Sequence, residues 1–166
     1  MPESAVPTKT VIGLAASAVI AAVALALQPW VDLRDVGGPG YWNGLGMFTG
    51  PKEYGDLGSL SNPLGWVVAV AMVLAAAALV VSTRTLPWLR WAASGFAAVA
   101  VATVVACLIR PSLLAGELLY EFGADSIPAR EFVNSPVLWG ELVVTGLALL
   151  TPFVITVAER RTPPAA

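Results

Sequence analysis

Four apolar runs, Val11 to Leu27, Leu64 to Ser82, Trp91 to Ile109 and Val137 to Ala158, constrain this chain more than any other feature. Each is close to the ~20 residues that a helix needs to cross ~30 Å of hydrocarbon. Together they take up about half of the 166 residues, so what remains is two sizeable loops and short tails, with no room for a separate soluble domain. The expected architecture is an all-α, four-transmembrane-helix bundle forming one integral membrane domain over 1–166. Its spans fall at approximately 11–28, 63–83, 90–110 and 136–158, and its loops at 29–62 and 111–135. Composition agrees: 57% of residues are hydrophobic and only 12% charged, far from the balance of soluble domains.

The first run, preceded by Lys9 and followed by Ala24-Leu25-Ala26, also has the outline of a secretory signal with a cleavage site. It is longer than a usual signal core, so a retained helix is expected. Lys and Arg set the orientation. Lys9, Arg84, Arg90, Arg160 and Arg161 crowd into the tails and one tight turn; Arg34, Lys52, Arg110 and Arg130 are spread over the two long loops. Both termini are therefore expected in the cytoplasm. Counting Glu3 and Glu159 with the first group and all other acidic residues with the second gives net +3 inside and −5 outside. An acidic outer face makes nucleic acid an unsuitable partner. The bias towards Ala, Val, Gly, Pro and Arg suggests the cell membrane of a high-GC bacterium.

Histidine is absent and Cys107 is the one cysteine. That rules out an intrachain disulfide, a Ser/His/Asp triad and a base to activate the thiol, and it removes the usual metal and haem ligands. No catalytic, cofactor or metal residue is expected.

Spans one and three carry small residues at steps of four, Gly13, Ser17 and Ala21, then Ser94, Ala98, Ala102 and Ala106, stripes suited to close helix approach. Spans two and four begin alike, Asn62-Pro63-Leu64-Gly65-Trp66 and Ser135-Pro136-Val137-Leu138-Trp139. Asn or Ser is placed to cap, Pro fits the first helical position, and Trp sits at headgroup level. Thr83 to Arg90 is short enough to make spans two and three an antiparallel hairpin. Pro152 predicts a kink in span four unless the helix adjusts locally.

Eight of the chain's 15 glycines lie between Gly37 and Gly58. The loop has neither the preceding strand and following helix nor the lysine of a phosphate-cradling turn, and left alone it is expected to be mobile. Its apolar side chains, Tyr41, Trp42, Leu45, Met47, Phe48 and Tyr54, need a surface to cover: the mouth of their own bundle, the headgroups, or another protein. In the second loop Leu114, Leu118 and Phe122 align at helical spacing opposite Glu117 and Glu121, which predicts a short interfacial helix. Glu141 would lie ~7 Å below a span starting at Pro136, where a carboxylate wants a partner. Arg110, at comparable depth, is the expected mate in an intramembrane ion pair; the functional alternative is that Glu141 is a proton or cation site.

Four spans with a longer first outer loop resemble tetraspan proteins such as claudins in layout alone. The paired cysteines and Gly-Leu-Trp pattern of that group's first loop are replaced here by Trp42-Asn43-Gly44-Leu45. The leading functional expectation is a non-catalytic accessory or assembly subunit. It would be seated in lipid against a larger integral membrane protein or complex and would dock through Tyr41, Trp42, Leu45, Met47, Phe48, Tyr54, Leu114, Leu118 and Phe122. The alternative is a small oligomeric ion or solute transporter, although Ser17, Ser94, Thr103, Glu141, Thr145, Thr151 and Thr156 form no single polar stripe. Least favoured is a lipid-active enzyme using Glu117, Glu121, Asp125 or Glu141 as acid or base.

Overall fold

A computed structural model describes residues 7–34, 37–54, 61–83, 86–123 and 126–161. Of the charged residues used to set orientation, Glu3, Asp35, Asp56, Arg84 and Asp125 lie outside that set, as does the side chain of Arg161.

The elements run α1 (Thr8–Ala26), β1 (Pro29–Asp32), β2 (Tyr41–Asn43), β3 (Phe48–Thr49), α2 (Leu64–Ser82), α3 (Leu89–Ile109), α4 (Ser112–Glu121), a 3-10 turn (Ala129–Glu131) and α5 (Ser135–Arg161). Helices α1, α2, α3 and α5 are each long and apolar enough to cross a membrane, a multi-pass architecture. They pack in a ring in which α1 and α3 each touch both α2 and α5. The buried faces are rich in alanine: Ala15, Ala22 and Ala26 on α1, Ala69, Ala71, Ala75 and Ala78 on α2, and Ala93, Ala97 and Ala100 on α3. Small residues let the backbones come close, so contact is made over long lengths of helix rather than through a few large side chains. Helix α5 is continuous through Pro152.

The small-residue stripes do not coincide with these faces. Helix α1 buries Val11, Ala15, Ala22 and Ala26, while Gly13 and Ser17 are exposed and Ala21 is half-buried. On α3, Ser94 is buried, Ala98 and Ala102 are exposed and Ala106 is half-buried.

The largest departure from an all-helical reading is at the end of the bundle where the long loops lie. Strands β1, β2 and β3 form an antiparallel sheet in sequence order, pairing Asp32 with Tyr41, Val31 with Trp42, and Trp42 with Phe48. The first loop is joined to the second: Val31 bridges to Val133, Asp32 N–H donates to the Phe132 carbonyl at 2.8 Å and Asn134 N–H to the Trp30 carbonyl at 2.9 Å. These contacts close a cap over one end of the helices. Its interior holds Trp30, Val31, Leu33 and Trp42 together with Leu114, Ala115, Leu118, Phe132 and Val133, continuous with Val68, Val104, Cys107 and Leu138 of the bundle. A second apolar cluster, Val11, Ala15, Ala78, Leu79, Ala93 and Ile155, lies toward the opposite end, where α1 begins and α5 ends.

Candidate functional site

The cap is anchored through Gly44. Its N–H donates to the Ala26 carbonyl, left free at the end of α1, and its carbonyl accepts from Gly65 N–H in the first turn of α2, both at 2.8 Å. Helix ends leave such groups without intrahelical partners, and here one glycine peptide serves two of them. Trp30 completes the joint: its indole N–H donates to the Leu25 carbonyl at 3.1 Å, and its ring lies so close that a Cβ on Gly44 would come within 2.5 Å of it. A Cβ on Gly65 would stand 2.5 Å from the Gly44 oxygen. Asn62 does not use its side chain to cap α2. Leu64 N–H goes to the Asn62 backbone carbonyl and Gly65 to Gly44, so the loop supplies the cap. The turn after Gly44 is tied by Asn43, whose Oδ1 accepts from the N–H groups of Leu45 (3.1 Å) and Met47 (2.9 Å).

On the rim, Arg34 grips Asp32 through two side-chain nitrogens, Nε at 2.9 Å and Nη2 at 2.5 Å, and lies 4.7 Å over the Tyr41 ring. The Arg34 hydrogen bond holds the Asp32 carboxyl below its ordinary range, opposed by partial burial.

This geometry divides the residues expected to bind a partner. Trp42, Leu114 and Leu118 are fully covered by the chain itself. Strand pairing turns Trp42 inward, and α4 packs its Leu114–Leu118 face on the cap interior, so these three are core residues and cannot be offered to another surface. Tyr41, Leu45 and Phe48 are half-buried, Phe48 tilted against Trp42 at 4.9 Å between ring centres. Met47, Tyr54 and Phe122 stay exposed, joined by Tyr120, whose position on α4 did not mark it as outward.

The expected Arg110–Glu141 pair is not formed. Arg110 is exposed, and neither carboxylate oxygen of Glu141 has a hydrogen-bond partner although the residue is 0% exposed. The register of α3 against α5 explains why. Contacts of Arg90 with Glu159 and of Trp91 with Phe153 fix the antiparallel alignment, which places Glu141 opposite the 103–108 stretch of α3, below Arg110. The ion pair that α3 and α5 do make is Arg90–Glu159 at the other end, with two charge-assisted hydrogen bonds. The sequence held that signal, opposite charges on the same side of adjacent spans.

Three buried hydroxyls on the spans are satisfied within their own helices: Ser82 donates to the Leu79 carbonyl, Ser94 to Arg90 and Thr145 to Glu141. Within the ring there is an apolar cavity of about 30 Å³ bordered by Ala15, Ala18, Met72, Ala75 and Pro152, room for a water or two. A more open hollow of about 370 Å³ lies between Ser61–Pro63 and the Ser112–Glu117 part of α4. Among the described residues no cluster of three or more His, Cys, Asp or Glu is placed to hold a metal ion.

No protein family, curated protein or solved structure matches the chain.

Proposed function

We propose that this chain is a non-catalytic accessory or assembly subunit of a larger integral membrane complex, with both termini in the cytoplasm and its cap on the outer side of a bacterial cell membrane. The observation that carries the reading is the unused small-residue surface of α1 and α3. At Gly13 and at Gly95 no neighbouring group comes within 4 Å of where a Cβ would sit, and Ser17, Ala98 and Ala102 are exposed beside them. The ring of four is completed by other faces, so these are left for helices the chain does not itself contain. The cap adds a rigid, self-satisfied rim with Met47, Tyr54, Tyr120 and Phe122 facing out. The Lys and Arg bias supports the orientation.

The test is purification from native membrane in mild detergent, comparing wild type with Gly13→Leu and Ala98→Leu. Wild type is expected to retain a larger companion, and the variants to lose it while keeping wild-type melting behaviour. A monodisperse lone protein of undiminished stability would overturn the reading.

A small oligomeric transporter is the second reading, favoured by one observation, the uncompensated carboxyl of Glu141 inside the ring. Flux of protons or cations through reconstituted vesicles, abolished by Glu141→Gln, is its signature. The apolar cavity between the helices, about 30 Å³, is too small to conduct by itself, so that reading calls for several copies.

A further inference from the structure

We propose that the Glu141 side chain is a proton-binding site built into the bundle beneath the cap. The argument is geometric. Glu141 lies six residues into α5, about 9 Å along the helix from Ser135, with no exposure and with both carboxyl oxygens lacking a hydrogen-bond donor. An ionised carboxylate there would have lost its water and gained nothing in exchange, whereas a carboxylic acid has a single O–H to place.

The charged and titratable groups on the elements packed most extensively against α5, namely α1, α2, α3 and β1, supply no counter-charge. Helix α2 carries none over Leu64–Ser82. On α1 there is Lys9, exposed and at the opposite end. On α3, Arg90 is held by Glu159, some 18 residues and about 27 Å along α5 from Glu141, and Arg110 is turned out to the exterior. The remaining group on α3 is the buried Cys107, in the stretch that the register sets opposite Glu141, and a thiol brings no positive charge. On β1, Asp32 is occupied by Arg34. On α5 itself Glu159 and Arg160 lie at the far end. Thr145, one turn along, gives its hydroxyl proton to the backbone carbonyl of Glu141, not to the carboxyl. A proton is the one ligand that needs no cavity and neutralises the group where it stands.

The site is tested on the full chain in lipid nanodiscs by infrared difference spectroscopy, with the proton itself as probe. At neutral pH wild type should show the C=O stretch of a protonated carboxyl, moving in D2O. The band should vanish in Glu141→Gln, an isostere of the neutral acid that keeps wild-type helix content. Should that variant fail to fold, Glu141→Asp replaces it and the band should shift. Absence of any protonated-carboxyl band from wild type at neutral pH, or its persistence unchanged in either variant, overturns the proposal. Neither readout depends on a companion protein, so the proton site stands or falls apart from the accessory role.

Discussion

Gly44 shows how one residue can decide whether two helices keep their ends. Gly44→Ala drives a methyl group into the Trp30 ring, and Gly65→Ala drives one into the Gly44 carbonyl. Neither obstacle is the loose end of a flexible side chain, so each substitution is expected to cost about 1–3 kcal/mol, the range for overpacking. The check is a lowered thermal midpoint of the purified protein, with Gly13→Ala, where nothing stands in the way, as a control whose midpoint should not fall. Asp32 gives a prediction in pH. Arg34 depresses its folded-state pKa, so the pair stabilises the cap above the ordinary carboxylate range, and that contribution is lost as pH falls through the lowered folded value. Arg34 is more than half exposed, which limits the effect to about 0.2–1 kcal/mol. An acid titration followed by tryptophan fluorescence should show a low-pH loss of cap stability that Asp32→Asn flattens.

At the scale of elements, α4 tests which of its faces matters. Leu118 is fully buried with Leu114 and Ala115 against the cap interior, and Tyr120 is 75% exposed. Leu118→Ala is therefore expected to destabilise the fold by about 2–5 kcal/mol, while Tyr120→Ala stays within about 0.5 kcal/mol. Thermal melting of the two variants separates a helix that holds the fold together from one held out to a partner. The helices themselves were legible in the amino acids, because an apolar run of ~20 residues reports its own fate, and the short α4 was legible from its spacing. The three strands were not. They are two to four residues long and separated by glycine-rich turns, and their pairing unites Val31 with Trp42 and with Val133, contacts that no local pattern encodes. Within the first loop Gly44 lets the backbone come close to Trp30 and to Gly65 at the start of α2.

For the whole molecule, the arrangement separates what is finished from what is left open. The cap end has its helix termini joined to the loop backbone and its tryptophans Trp30 and Trp42 covered, and the opposite end is tied by Arg90–Glu159. What remains open is along the flanks of α1 and α3, where Gly13→Leu is predicted to leave melting unchanged within about 0.5 kcal/mol and to lower the recovery of any companion. That contrast between stability and association belongs to the assembly and would be invisible in the isolated chain.

The amino acids alone determined the number of long apolar helices, their approximate bounds, the absence of His and the single Cys, because hydropathy and residue type are read from the chain without its fold. Tertiary structure decided which face of each helix is inside, that Trp42, Leu114 and Leu118 belong to the interior, and that Glu141 stands below Arg110 without a counter-charge. Those outcomes depend on the register of α3 against α5 and on strands brought together from separate loops, and packing between distant segments is set only when all of them meet.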